Sequence, residues 1–101
     1  MHLTGKQKRH LRGLGHVLEP VIQVGRDGLT DNLVRQADDA LEARELIKVR
    51  FGAGFEEDRD VAAAVLAERT RAAVAGTIGR TALLYRPRQE DPEIRLPRAE
   101  D

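Results

Sequence analysis

The chain has 101 residues, no cysteine, and 17 Lys+Arg balanced by 17 Asp+Glu, for a formal net charge of zero. That length fits one compact domain, and no apolar run approaches the roughly 18–20 residues that cross a membrane, so no membrane partner is expected. Without cysteine or serine, disulfides, thiolate catalysis, cysteine-based zinc sites and a Ser-His-Asp nucleophile are all excluded.

The first six residues lack the apolar stretch of a signal peptide, which points to a cytoplasmic protein. Thr4-Gly5-Lys6-Gln7 has the pattern of a capping box, with Thr4 as the cap and Gln7 reaching back. The helix it opens is expected to run to about Leu14, with Leu3, Leu11 and Leu14 buried. Gly13 and Gly15 weaken its end. Pro20 then leads into Val21-Ile22-Gln23-Val24, a strand with proline tolerated at its first position. Gly25-Arg26-Asp27-Gly28 makes a tight loop before a second helix, which Thr30 caps and Asp31 favours through the helix dipole. Leu33, Val34, Ala37, Ala40, Leu41 and Arg44 repeat there at helical spacing.

Glu45 to Phe51 reads as a second strand. Ile47, Val49 and Phe51 share one face, while Leu46, Lys48 and Arg50 point to the other. After Gly52-Ala53-Gly54, the acids Glu56, Glu57 and Asp58 open a third helix, whose apolar stripe is expected at Val61, Ala62, Val65, Leu66 and Ala73. Val74–Ile78 is a strand weakened by Gly76, Gly79-Arg80 a short turn, and Ala82–Arg86 a fourth strand that Pro87 ends. The order helix-strand-helix-strand-helix-strand-strand predicts an α/β domain with helices packed on one four-stranded sheet. The last connection is too short for a parallel pair, so the sheet is mixed. The domain is expected over 1–88, followed by a polar, mobile or loosely docked tail over 89–101.

The neutral total conceals a sorted pattern. Residues 1–26 carry five bases and one acid, 27–68 eleven acids and five bases, 69–88 five bases and no acid, and 89–101 five acids and two bases. Two basic blocks brought side by side would make a basic face on a neutral protein. Gly25-Arg26-Asp27-Gly28 is the most informative motif: two glycines at a strand-to-helix turn admit a phosphate to backbone N–H groups near a positive helix end. KH modules clamp an RNA backbone with such a GxxG loop, although a plain structural turn uses glycines in the same way. The alternation of Lys48 and Arg50, taken alone, is a solvated sheet face. His2, His10 and His16 are not spaced to share one helical turn, so surface histidines rather than a metal site are expected. No cofactor, small-molecule substrate or catalytic constellation is indicated.

Lys6-Gln7-Lys8-Arg9-His10-Leu11-Arg12-Gly13-Leu14-Gly15-His16 and Pro20-Val21-Ile22-Gln23-Val24-Gly25-Arg26-Asp27-Gly28-Leu29-Thr30 resemble the CRM domain, the RNA-binding module named for chloroplast RNA splicing and ribosome maturation. Glu45–Arg50 and Ile78–Arg86 are similar to its other two hallmark segments, so the resemblance covers roughly residues 3–88. It implies a stand-alone bacterial member, similar in fold to the C-terminal domain of translation initiation factor 3, that is not an enzyme. The implied partner is ribosomal RNA of the large-subunit precursor, with a role in ribosome assembly. By the same resemblance the RNA-binding loop falls on Gly25, Arg26, Asp27 and Gly28, and the basic surface on Lys6, Lys8, Arg9 and Arg12, extended by Lys48, Arg50, Arg80 and Arg86. Arg44 departs from the family by standing where a histidine is common, and the third helix is richer in acid than expected.

With aromatics at only 3% of the chain, such a protein would read RNA shape and phosphates more than base sequence. The alternative from another class is a protein-interaction module docking its acidic block on a basic ribosomal protein. A monomer is expected in either case.

Overall fold

A computed structural model describes residues 1–98 of the chain; the last three residues of the expected tail lie outside the described residues. The elements are α1 (Gly5–Gly15), β1 (Pro20–Val24), α2 (Asp31–Arg44), β2 (Leu46–Phe51), α3 (Arg59–Thr70), β3 (Ala73–Ile78) and β4 (Thr81–Tyr85). They follow the expected order and form one mixed sheet in the order β1-β2-β4-β3. β1 and β2 are parallel and joined through α2. β4 lies antiparallel between β2 and β3.

The two faces of the sheet are covered unequally. Ile22, Val24, Ile47, Val49, Phe51, Ala82 and Leu84 pack under α2 and α3, against Leu33, Ala37, Leu41, Ala62 and Leu66. Leu46, Leu83 and Tyr85 point to the opposite face and pack with Leu3 and Leu11 at α1. Along that second face of β2, Leu46 is buried, Lys48 half-buried and Arg50 exposed. α1 therefore covers one end of the face and leaves the other open. Its C-terminal half rests directly on β4: a Cβ at Gly15 would stand 2.7 Å from both Leu83 methyl groups.

Several expectations need correction. α1 extends to Gly15, and its inward positions are Leu11 and Gly15, so Leu14 faces solvent at 43% exposure. The close seat of Gly15 fixes this rotation. In α3 the inward residues are Ala62, Ala63, Leu66, Ala67 and Thr70. Val61 and Val65 lie outside, at 62% and 43% exposure. Small alanines let α3 approach the sheet, which leaves the bulkier valines on the outer ridge. Ala73 belongs to β3, and Arg44 is exposed at the end of α2. Of the three acids expected to open α3, Asp58 caps it by accepting from the N–H groups of Asp60 and Val61, and Glu56 and Glu57 precede the helix.

Glu45 is not the first residue of β2 but the cap of α2, with a positive φ of 66°. Its side chain is buried, and its carboxylate accepts the backbone N–H groups of Arg88 at 2.9 Å, Glu93 at 2.8 Å and Ile94 at 3.0 Å. Its carbonyl accepts from the Arg86 N–H at 2.8 Å. Ile94 and Leu96 pack beside the α1 core, and the Gln7 side-chain amide donates to the Pro97 carbonyl at 3.0 Å. The segment after Pro87 thus has no regular structure yet is tied to the domain as far as Pro97.

Burial alone would raise the Glu45 carboxyl, but the N–H donors of Arg88, Ile94 and Glu93, with the Arg88 charge, outweigh it and leave its pKa below the usual glutamate value. A depressed carboxyl contributes stability above its unfolded pKa and loses it as pH falls through the folded value. Glu45→Gln is expected to cost about 1–3 kcal/mol near neutral pH, because buried N–H donors lose an acceptor. Thermal melts should show the gap between wild type and variant narrowing once pH falls below about 4.5. A gap independent of pH would contradict this account.

Candidate nucleic-acid interface

The loop after β1 is closed by the Gly28 N–H, which donates to the Gly25 carbonyl at 3.1 Å. Gly28 has φ +69°, a left-handed conformation that glycine adopts without steric penalty. The chain then turns into α2, where the Thr30 hydroxyl accepts the Leu33 N–H at 3.1 Å. The loop therefore precedes the positive end of a capped helix. Arg69 of α3 braces this junction from behind, with one guanidinium nitrogen 3.2 Å from the Leu29 carbonyl and another 2.9 Å from the Asp31 carboxylate.

Three connections meet at this end of the sheet: Gly25–Gly28, Gly52–Gly54 and the Gly79-Arg80 turn. The Gly52 N–H donates to the Val24 carbonyl at 2.8 Å, and the Phe51 N–H to the Arg80 carbonyl at 2.7 Å. A Cβ on Gly54 would stand 3.6 Å from the Arg26 nitrogen. Arg59 of α3 holds the β3–β4 turn by donating to the Gly79 carbonyl. Arg50 sits beside Gln23 of β1 and Thr81 of β4 in the register. Arg26, Arg50 and Arg80 are thus carried on adjoining segments of one end. Lys48 lies two residues back along the open face, and Arg12 crosses from α1 over Gly76 of β3.

The remaining candidates lie elsewhere. Lys6 and Arg9 are exposed on α1, toward the end away from Gly15. Lys8 lines a groove with Leu3, Glu68 and Ala73, beside the C-terminal part of α3. Asp27 is exposed within the loop.

Arg86 stands apart from the group. It follows β4, whose last residue Tyr85 pairs with Leu46 at the start of β2, the opposite end of the sheet from the loop. Its guanidinium is turned inward, donating to the Asp38 carboxylate at 2.6 Å, the Thr70 carbonyl at 2.8 Å, the Asp38 carbonyl at 3.2 Å and Glu42 at 3.2 Å. Arg86 ties the ends of α2, α3 and β4 together.

Sequence reasoning missed this division among the arginines. Arg59, Arg69, Arg86 and Arg88 each donate to a backbone carbonyl of another segment. Among the described residues, Arg12, Arg26, Lys48, Arg50 and Arg80 have no side-chain hydrogen bond or ion pair. The bracing roles of Arg59 and Arg69 have no local signature, since each depends on a partner segment brought near by the fold. Among the described residues no cluster of His, Asp and Glu could hold a metal ion, and no helix is long and apolar enough to cross a membrane.

Charge is divided across the sheet. α1 carries Lys6, Lys8, Arg9 and Arg12 with no acid, whereas α2 on the far side carries Asp31, Asp38, Asp39 and Glu42 against Arg35 and Arg44. These features define a small three-layer α/β domain with a cationic sheet end beside a glycine loop.

The model of the CRS1 / YhbY (CRM) domain matches residues 3–86, and the chain belongs to this family. Among its relatives, the Probable RNA-binding protein YqeI of Bacillus subtilis is 47% identical over 95 residues, covering 94% of this chain and 99% of its own. An RNA-binding protein of Haemophilus influenzae is 40% identical over 96 residues, covering 95% and 96%. The solution structure of SAV1595 from Staphylococcus aureus is similar with a TM-score of 0.82 and 44% identity, covering 95% of this chain and all of that one.

The division of arginines makes a stability prediction. Arg86→Ala should cost about 1.5–3 kcal/mol, the range for hydrogen bonds to charged groups. Arg50→Ala and Arg80→Ala should stay within about 0.5 kcal/mol of wild type. Urea unfolding of the three variants checks this, and equal losses at all three positions would contradict the division.

Proposed function

We propose that this protein is a non-enzymatic RNA-binding protein of the cytoplasm. It associates with ribosomal RNA of the large-subunit precursor and assists ribosome assembly. The observation that carries the reading is the convergence of the Gly25–Gly28 loop with Arg50, Arg80 and Lys48 at one open sheet end, in a family whose relatives are named RNA-binding proteins. The loop offers backbone N–H groups and a positive helix end to phosphates, and Arg26 adds an exposed charge. The basic outer surface of α1, with Lys6, Lys8, Arg9 and Arg12, extends the contact along a folded RNA. The ribosomal target rests on the family resemblance of the four sequence segments.

If about five basic side chains meet phosphates, log affinity should fall against log salt with a slope of roughly −3 to −5. Titration of a large-subunit ribosomal RNA fragment at several salt concentrations measures it, and a flat response would refute phosphate-driven binding. Arg26→Glu and Arg50→Glu should each weaken binding at least tenfold while leaving the melting temperature nearly unchanged. Crosslinking in cells followed by sequencing of the attached RNA tests the finer target. Large-subunit precursor RNA should dominate; a different dominant RNA would refute the ribosomal role.

One observation favours a second reading, a protein-interaction module docking its acidic face on a basic ribosomal protein. Exposed Val61 and Val65 of α3 line a groove with Leu29 and Phe55, beside the acids Glu57 and Asp58. Capture after nuclease treatment separates the two: ribosomal partners that persist without RNA support this reading, and partners lost with the RNA support the first.

A further inference from the structure

We propose that the cleft between the C-terminal half of α1 and the open end of the sheet receives a single unpaired nucleobase of the bound RNA. This rests on the RNA-binding reading above and adds to it a base contact that backbone recognition does not require.

The cleft has a volume of about 330 Å³, near the lower bound of roughly 300–1,000 Å³ for ligand pockets, which suits one small planar group. Leu83 forms its floor, Gly15 and Gly76 its narrow sides, and Ile78 a wall on the β3 edge. Arg12 and Lys48 stand at its rim, with His16 beside them, and none of its lining residues is acidic.

Each of these features matches one requirement of an inserted base. A phosphate site needs donors and gains nothing from an apolar floor. A base needs apolar surface for its faces and cations outside for the two phosphates that flank it. Ile78 is 79% exposed although it is a large aliphatic residue facing the same way as Leu83. The stem of Arg12 is pressed against β3, with its Cδ and Cγ atoms 2.7 and 3.1 Å from where a Cβ of Gly76 would stand. The absence of a side chain at Gly76 thus lets Arg12 lie along the cleft, where a guanidinium plane can stack on a base as an aromatic ring would.

The aromatic residues serve elsewhere. The rings of Phe51 and Phe55 pack on each other at 5.0 Å, and Tyr85 is buried under α1. An aliphatic and guanidinium cleft is the apolar surface this protein offers on its cationic side. The expected RNA is a duplex or hairpin read through its backbone, with one bulged or looped-out nucleotide at a fixed distance from the phosphates on the Gly25–Gly28 loop.

The test uses two RNA hairpins of equal length, one fully paired and one with a single bulged 2-aminopurine. The wild-type protein should bind the bulged hairpin about fivefold more tightly, the lower end of what one stacked base contributes. Ile78→Asn, which removes the wall without changing charge, should abolish that preference while keeping the paired-hairpin affinity and its salt slope. Ile78→Trp should keep or raise the preference and quench 2-aminopurine emission in the complex by stacking on it. Tight, salt-dependent binding of both hairpins without preference would overturn the base cleft and leave the RNA-binding reading standing. Retained preference in Ile78→Asn, or unquenched emission in Ile78→Trp, would overturn the cleft as well. Failure to bind either hairpin would overturn both readings.

Discussion

A four-stranded sheet has two faces to cover, and here three helices do it unequally. α2 and α3 cover most of one face, and α1, eleven residues long, closes only one end of the other. This shortfall determines most of what lies on the open side. Residues that would be core under a longer helix must instead be compatible with water, and β2 changes character along one face, from Leu46 to Lys48 to Arg50. β4 remains apolar on the same face at Leu83 because α1 still reaches it through Gly15. The boundary between the covered and uncovered halves is therefore also the boundary between packing and a polar, cationic surface, and the cleft forms along that line.

The same geometry sorts the arginines. Where helix ends and strand ends converge, guanidinium groups donate to main-chain carbonyls, as Arg86 does for Thr70 in the interior and Arg69 for Leu29 at the surface. Such contacts hold α2 and α3 in register with the sheet, and Arg59 extends the arrangement to the β3–β4 turn. The loops at the Gly25–Gly28 end of the sheet are thus braced from behind, while Arg26, Arg50 and Arg80 themselves are left to solvent. A rigid scaffold carrying unpaired cations suits backbone recognition, because little conformational freedom of the main chain is lost on binding.

The parts legible in the sequence were those with local causes. The Thr4 capping box forms as written, with both reciprocal bonds present. The alternation on β2 placed Ile47 and Val49 in the core and Lys48 and Arg50 on the other face. What was not legible depended on partners distant in sequence. Leu14 has the right spacing for burial, but the seat of Gly15 on Leu83 turns it outward. Val61 and Val65 look like better core residues than Ala63 and Ala67, yet alanines let α3 lie closer to the sheet. Glu45 resembles any acid at a strand start, and its buried bonds to Arg88, Glu93 and Ile94 arise only once the segment after Pro87 has folded back. Arg86 and Arg80 are equally basic in the sequence; topology alone sends one inward and the other to the turn.

The neutral total charge acquires a physical meaning in this architecture. A uniformly basic domain of this size would coat any nucleic acid through long-range attraction. Here the cationic residues of α1 and the open sheet end are backed by a layer whose acids lie on α2, across a domain whose shortest extent is 23 Å, well beyond the screening length of about 8 Å at physiological salt. A polyanion therefore meets mainly the charge of the side that faces it, attracted where that side is cationic and repelled where it is acidic. Orientation is thus selected before contact. On the reading proposed above, the apolar cleft beside that surface would add discrimination at short range, where electrostatics alone distinguishes one duplex poorly from another.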